Sequence, residues 1–188
     1  MAKLVSNVYG DALFELALSQ DRIDEFLDEA NAIIDILKEN DDLTKMMCHP
    51  QIIKEEKIEV VENIFKGQVS DEIVGLMVMV IEKNHFKDME SVFSYYIDKV
   101  KEYKRIGVVY VKSPLELTGE QKKRIEKKLL DTTDYVSLEM NYEVDPDIIG
   151  GLVIRLGDRV VDSSVKTRIY ELSKQLSKIQ LKVGETAP

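Results

Sequence analysis

Apolar residues along the first hundred positions recur at helical spacing, and from Ile106 onward they alternate instead. Val5, Val8, Tyr9, Ala12, Leu13 and Leu16 fall at the i, i+3, i+4, i+7 intervals of one helical face, which predicts an amphipathic helix over residues 4–19. Ile23, Phe26, Leu27, Ala30, Ile33, Ile34 and Leu37 form the stripe of a second helix, with Asp24, Glu25, Asp28, Glu29 and Asp35 largely off it. A short helical turn around residues 43–47 has to stop by His49, because Pro50 disfavours helical geometry in the residue before it. Ile58, Val61, Ile64 and Phe65 mark another helix, ended by Gly67. Ser70, Asp71 and Glu72 open the next with a cap and an acidic first turn. Met89, Val92, Phe93, Tyr96, Ile97, Val100 and Tyr103 define a last helix that closes on Lys101, Lys104 and Arg105, cations where a helix C-terminus favours them. Short connections between these segments predict a six-helix bundle over residues 1–105.

The segment IGVVYVK at residues 106–112 is apolar on both faces and reads as a central strand. Thr118 and Gln121 supply a capping box for a helix running to about Asp131. Residues 136–144, VSLEMNYEV, alternate strictly between apolar and polar and predict a half-buried strand. After a turn at Asp145-Pro146-Asp147, LVIRL and RVVD flank Gly157-Asp158 as a β-hairpin. A final helix carries Val165, Ile169, Leu172, Leu176 and Ile179 at alternating intervals of four and three, a heptad-like seam that can pack on its own sheet, the preferred reading, or engage another helix. The chain is expected to fray from about Lys182. The expected fold is thus α+β in two domains: a six-helix bundle, then a small C-terminal domain over 106–188 with a mixed sheet, a hairpin and two helices.

Charge supports the same division. Residues 1–105 hold 13 Lys+Arg against 22 Asp+Glu and residues 106–188 hold 13 against 13, so the whole net charge of -9 lies in the first part. An acidic chain is a poor match for a nucleic-acid partner, which needs a basic surface. The basic cluster at Lys122, Lys123, Arg124, Lys127 and Lys128 is interrupted by Glu126 and reads as a solvated helix face. The longest strictly apolar run, Leu76 to Ile81, is far short of the roughly 18 residues of a membrane span. No basic, apolar and small-residue succession of a secretory leader opens the chain, and a cytoplasmic protein is expected. The single cysteine, Cys48, has no intrachain disulfide partner, which agrees with a reducing compartment.

The sequence offers little chemistry. His49 and His85 have no His or Cys at i, i+3 or i+4 to share a metal on one helix face, and adjacent Cys48 and His49 do not face each other as nucleophile and base. Neither G-x-x-x-x-G-K-[ST] nor G-x-G-x-x-G occurs. Paired carboxylates lie opposite the apolar stripes, where water solvates them. No catalytic residue, metal, cofactor or small-molecule substrate is expected.

There is, however, more apolar surface than one bundle requires. The stretch from Ile73 to Ile81 is apolar all round a helix, so it is either the centre of the bundle or a surface that something else covers. Gly75 costs about 1 kcal/mol relative to Ala within a helix, which points to a close backbone approach, and Met77 and Met79 are flexible side chains suited to binding surfaces. Leu4, Phe14 and Leu18 widen the apolar arc of the first helix, and an amphipathic partner helix fits a groove between two such helices. On these features alone the reading is a free-standing acidic helical adaptor.

Two stretches sharpen it. Residues 149–166, preceded by Asp145 and followed by Arg168, read I-G-G-L-V-I-R-L-G-D-R-V-V-D-S-S-V-K, and Tyr9-Gly10-Asp11-Ala12-Leu13-Phe14 resembles a Y-A-x-A-L-F motif. In both, and in length and helix count, the chain resembles the bacterial ATP synthase delta subunits and the related mitochondrial oligomycin-sensitivity protein. Gly10 replaces the family's common Ala and lowers local helix propensity. Ser163 stands where Gly is frequent, at a position where Ser can cap a helix start.

The resemblance implies a non-catalytic stator subunit on the cytoplasmic side of the membrane. Its N-terminal domain would grip the N-terminal helix of an alpha subunit in a groove between the first and fifth helices, at Tyr9, Ala12, Leu13, Gly75, Met79 and Lys83. Its C-terminal domain would meet the b subunits of the peripheral stalk. Gly150, Gly151, Arg155, Gly157, Asp158, Arg159, Asp162 and Arg168 belong to the signature and are assigned a structural role in preference to an interface one.

Overall fold

A computed structural model describes residues 2–178, which fall into two compact units divided between Tyr103 and Lys104. The predicted fraying from Lys182 and the last seam position, Ile179, lie outside the described residues.

The first unit holds six α-helices, α1 (Ala2–Ser19), α2 (Ile23–Glu39), α3 (Asp41–Met47), α4 (Lys54–Phe65), α5 (Asp71–Glu82) and α6 (Met89–Tyr103), with a 3-10 turn at Phe86–Asp88 leading into α6. The stripes read from the sequence in α2 and α6 are at least partly buried, with the exception of Tyr103, which is exposed at the end of α6: Phe26, Ala30 and Ile33 join Val92, Phe93 and Tyr96 in one core. Burial pushes the Tyr96 phenol up to about 12, and its hydroxyl donates to the Ile23 carbonyl at 3.3 Å. Gly67 has φ +82°, a left-handed conformation that suits glycine and follows the end of α4.

The face of α1 differs from the sequence reading. Its innermost residues are Ser6, Gly10, Leu13 and Ala17, whereas Val8 and Ala12 are exposed and Tyr9 half-buried. Small side chains decide this, since they let α6 approach closely. A Cβ on Gly10 would sit 2.4 Å from Cδ1 of Tyr95. The glycine that lowers helix propensity is therefore demanded by its neighbour.

Ser70 precedes α5, yet its side chain makes no capping bond there. Its hydroxyl instead donates to the Glu29 carboxylate, and its backbone N–H donates to both Glu29 oxygens at 3.1 Å, which fastens the start of α5 to α2.

The second unit is a four-stranded mixed sheet with strand order β2-β1-β3-β4, formed by β1 (Ile106–Ser113), β2 (Ser137–Val144), β3 (Val153–Leu156) and β4 (Arg159–Asp162). β1 and β2 are parallel, so the chain must cross over between them, and α7 (Gly119–Thr132) makes that crossing. The Thr118 and Gln121 capping box starts α7 with both reciprocal bonds formed. β3 and β4 form the predicted hairpin around Gly157, which has φ +55°. β1 is interior, but only the Val109 and Val111 face is buried; Tyr110 on the other face is 53% exposed. The expectation that both faces of β1 are covered fails because, among the described residues, this unit encloses one face only. Among the described residues, Val109, Val111 and Ile148 are the unit's only fully enclosed apolar side chains.

The last helix, α8 (Val165–Lys178), gives a second difference. Its seam does not pack on the sheet: Ile169, Leu172 and Leu176 are 56%, 57% and 67% exposed.

Candidate functional site

The six positions assigned to an alpha-subunit groove separate into two groups. Leu13 is 1% exposed and belongs to the core, so it supports α1 from within and offers nothing to a partner. Tyr9 is half-buried and packs on that core, while Ala12 is exposed. Gly75, Met79 and Lys83 follow one another at intervals of four along α5 and its C-cap, and all three are exposed. They stand opposite Ile73, Met77 and Val80, which are completely buried.

Gly75 matters most. A Cβ placed on it would meet no atom within 4 Å, so none of the described residues uses the close approach that a helix-interior glycine permits. Beside it, Met79 leaves 51% of its surface open. α1 also carries an apolar strip on the side away from its core contacts, with Leu4, Val8 and Leu18 exposed, Val8 by 60%. Sequence periodicity counted Val8 as core. The signal that corrects it is the run of small residues, Ser6, Gly10 and Ala17, which marks the true packing face.

Polar contacts fix the helices that carry these strips. Lys99 and the Tyr95 hydroxyl both hold Asp11, the latter at 3.0 Å, tying α1 to α6. The Lys99 hydrogen bond holds the Asp11 carboxyl below the usual carboxylate range. At the far end of α1, Gln20 Nε2 and Arg22 Nη1 donate to Glu72 Oε1 at 3.2 and 3.3 Å, joining the α1–α2 turn to the first turn of α5. Hydrogen bonds that its carboxylate accepts from its own backbone N–H and from Gln20 hold Glu72 low. Arg22 also pairs with Glu25 at 2.7 Å, lies over the Phe26 ring, and holds Glu25 low. These groups brace helices: the carboxylates are held low and Arg22, Lys99 and the Tyr95 phenol are pushed up, each away from the neutral range in which a general acid or base works.

His49 accepts the Gln51 backbone N–H through Nδ1 at 3.3 Å, and Cys48 packs against the core. Among the described residues no group of three or more His, Cys, Asp or Glu is placed to hold a metal ion, and no helix is long and apolar enough to cross a membrane.

The signature residues of the second unit build the junction between the hairpin and α8. Gly151 has φ +86°, and a Cβ there would lie 2.3 Å from the Ser163 carbonyl oxygen. Gly150 faces Val165, and its carbonyl accepts the Val165 N–H at 2.8 Å. Arg155 Nε donates to the Gly157 carbonyl at 3.2 Å across the hairpin turn. The Asp162 carboxylate accepts from Thr167 Oγ1 at 2.7 Å and from the Ser164 N–H at 2.8 Å, bonds that hold it below the usual range. Ser164 Oγ accepts the Thr167 N–H at 3.2 Å, so the cap of α8 is Ser164. Ser163 bonds instead to the Leu152 carbonyl at 2.9 Å through both its N–H and its hydroxyl. Asp158, Arg159 and Arg168 are exposed.

Residues 5–176 match the family model described as ATP synthase delta (OSCP) subunit. The chain is 51% identical over 181 residues to an ATP synthase subunit delta of Lachnoclostridium phytofermentans, covering 96% of this chain and 100% of that one. It is 30% identical over 175 residues to the corresponding subunit of Brevibacillus brevis, covering 93% and 99%. A chain in a cryo-EM structure of the Toxoplasma gondii mitochondrial ATP synthase hexamer superposes with a TM-score of 0.72 at 16% identity, covering 92% of this chain and 97% of that one, which shows a shared fold.

Proposed function

Because this chain belongs to the ATP synthase delta (OSCP) subunit family, and is a structural, non-catalytic stator subunit that links the enzyme's head to its peripheral stalk, we propose that its helical unit binds the N-terminal helix of an alpha subunit along α1 and α5. Gly75 is the observation that carries this reading. A glycine inside a helix costs about 1 kcal/mol relative to Ala, and this one faces open space beside an exposed methionine. A partner helix laid over Gly75 and Met79 would use the close approach that the fold leaves unused, with Ala12 and Val8 of α1 and the Lys83 ammonium at its margins. The second unit, with its thin core and uncovered apolar residues, meets the b subunits. Held between these contacts, the subunit resists the torque of the rotor, and it sits at the cytoplasmic face of the membrane through its partners.

Calorimetric titration of the full chain with a peptide copying the N-terminal segment of the same organism's alpha subunit tests the groove. Saturable one-to-one binding is expected, lost on Gly75→Leu and on Ala12→Asp. Wild-type binding that both substitutions leave intact rejects this docking strip.

A further inference from the structure

A cavity of about 540 Å³ opens between the α3–α4 connection, the first turn of α4, the last turn of α5 and the 3-10 turn that follows it. Its size lies within the ~300–1,000 Å³ of small-molecule sites. It shares no lining residue with the strip of Gly75, Met79 and Lys83, so it is a separate site.

Met47, Ile81 and Phe86 are core residues that also line it, and Ile52 and Ile53 extend the apolar wall, Ile53 with 56% of its surface exposed. Lys54, Lys57 and Lys87 line the same cavity, against one carboxylate, that of Glu55. None of the three lysines forms an ion pair among the described residues, although the helical unit holds 22 Asp+Glu. Lys54 Nζ donates to the Glu82 carbonyl at 2.7 Å and Lys57 Nζ to the His49 carbonyl at 2.9 Å. These bonds fix where two ammonium groups stand without neutralising them. Each ammonium carries three donors, so two remain on each for a ligand. Like charges gathered round one cavity repel one another, which an anion there relieves. An apolar wall beside fixed cations selects an amphiphile: a negative head for the lysines and an apolar chain for the isoleucines.

We propose that this cavity binds a carboxylate with a linear apolar chain, its head held by Lys54, Lys57 and Lys87 and its chain lying against Ile52 and Ile53. Ammonium groups already fixed in place keep the ordering cost of binding low, and burial of the chain drives it. This goes beyond the stator reading and does not depend on it.

Decanoate, titrated below its micelle concentration into the full chain, is the test. Saturable one-to-one binding is expected by calorimetry, with amide chemical-shift changes centred on residues 47–57 and 81–87. The single cysteine, Cys48, is half-buried and lines the cavity, so bound decanoate should also slow its alkylation by iodoacetamide. Decanol, which lacks the charge, should bind at least about tenfold more weakly, and acetate, which lacks the chain, should not saturate. Lys87→Glu should weaken decanoate about fivefold at low salt and by less at high salt. Ile53→Ser, at an N-cap position where Ser is favoured, should keep the fold and weaken decanoate about threefold or more. Equal affinity for decanol and decanoate would take the lysines out of recognition and overturn the proposal. So would decanoate binding whose shifts lie on α1 or α8, where other apolar residues are exposed, and so would the absence of saturable binding.

Discussion

Gly10→Ala should destabilise the helical unit, against the direction that helix propensity gives. Alanine in a helix interior is favoured over glycine by about 1 kcal/mol. Here the new methyl carbon would lie 2.4 Å from Cδ1 and 3.3 Å from Cε1 of Tyr95. That ring cannot swing away freely, because its hydroxyl is bonded to Asp11 at 3.0 Å. Overpacking of this kind costs typically about 1–3 kcal/mol, and displacing the ring sacrifices a hydrogen bond worth about 1 kcal/mol net. Set against the propensity gain, the expected sum is a loss of about 1–3 kcal/mol. In a Tyr95→Ala background the obstacle is gone, and the same substitution should stabilise by up to about 1 kcal/mol. The double-mutant cycle thus has a coupling energy of about 2–4 kcal/mol, well outside the range expected of independent sites. Native-state hydrogen exchange of the α1 and α6 amides measures the opening free energy of this unit without requiring the whole chain to unfold in one step. Equal stabilisation by Gly10→Ala in both backgrounds would refute the claim that Tyr95 dictates the glycine.

Two glycines of the hairpin junction should behave differently. Gly151→Ala, whose methyl would meet the Ser163 carbonyl in a left-handed conformation, should cost about 3 kcal/mol or more; Gly157→Ala, left-handed but facing open space, should cost only about 1–2 kcal/mol, with amide exchange in β3 and β4 reading both. Gly75→Ala should stabilise the free chain by about 1 kcal/mol in the same exchange measurement on α5 while weakening capture of the alpha-subunit peptide. Asp162 titrates below its ordinary value because the folded chain hydrogen-bonds its charged form. Its support of the α8 cap is therefore fully present above about pH 4 and is lost as pH falls through the depressed value. The Ser164 and Thr167 amide chemical shifts should move over that acid range in the wild type, and should be flat with pH in Asp162→Ala.

Much of the fold is legible in the sequence because it rests on local order. The stripes of α2 and α6, the breaks at Pro50 and Gly67, the Thr118 and Gln121 cap and the hairpin at Gly157 follow from the period, stereochemistry and hydrogen-bonding reach of neighbouring residues. The signature around residues 149–166 likewise identified the family, because a run of specified residues survives being read in one dimension. What only the tertiary structure decided is which of several apolar surfaces is covered, and by what. α1 turns its small residues to the core and leaves Val8 outside, since a close helix contact selects for low volume as well as for hydrophobicity. Leu13 and Ala12 are neighbours in one motif, yet one is enclosed and the other open. β1 is apolar on both faces but has a layer against only one, and the α8 seam has a heptad spacing that fits an external helix as well as a sheet. Periodicity states that a face must be buried; the identity of the surface that buries it depends on residues distant along the chain, or on another chain altogether.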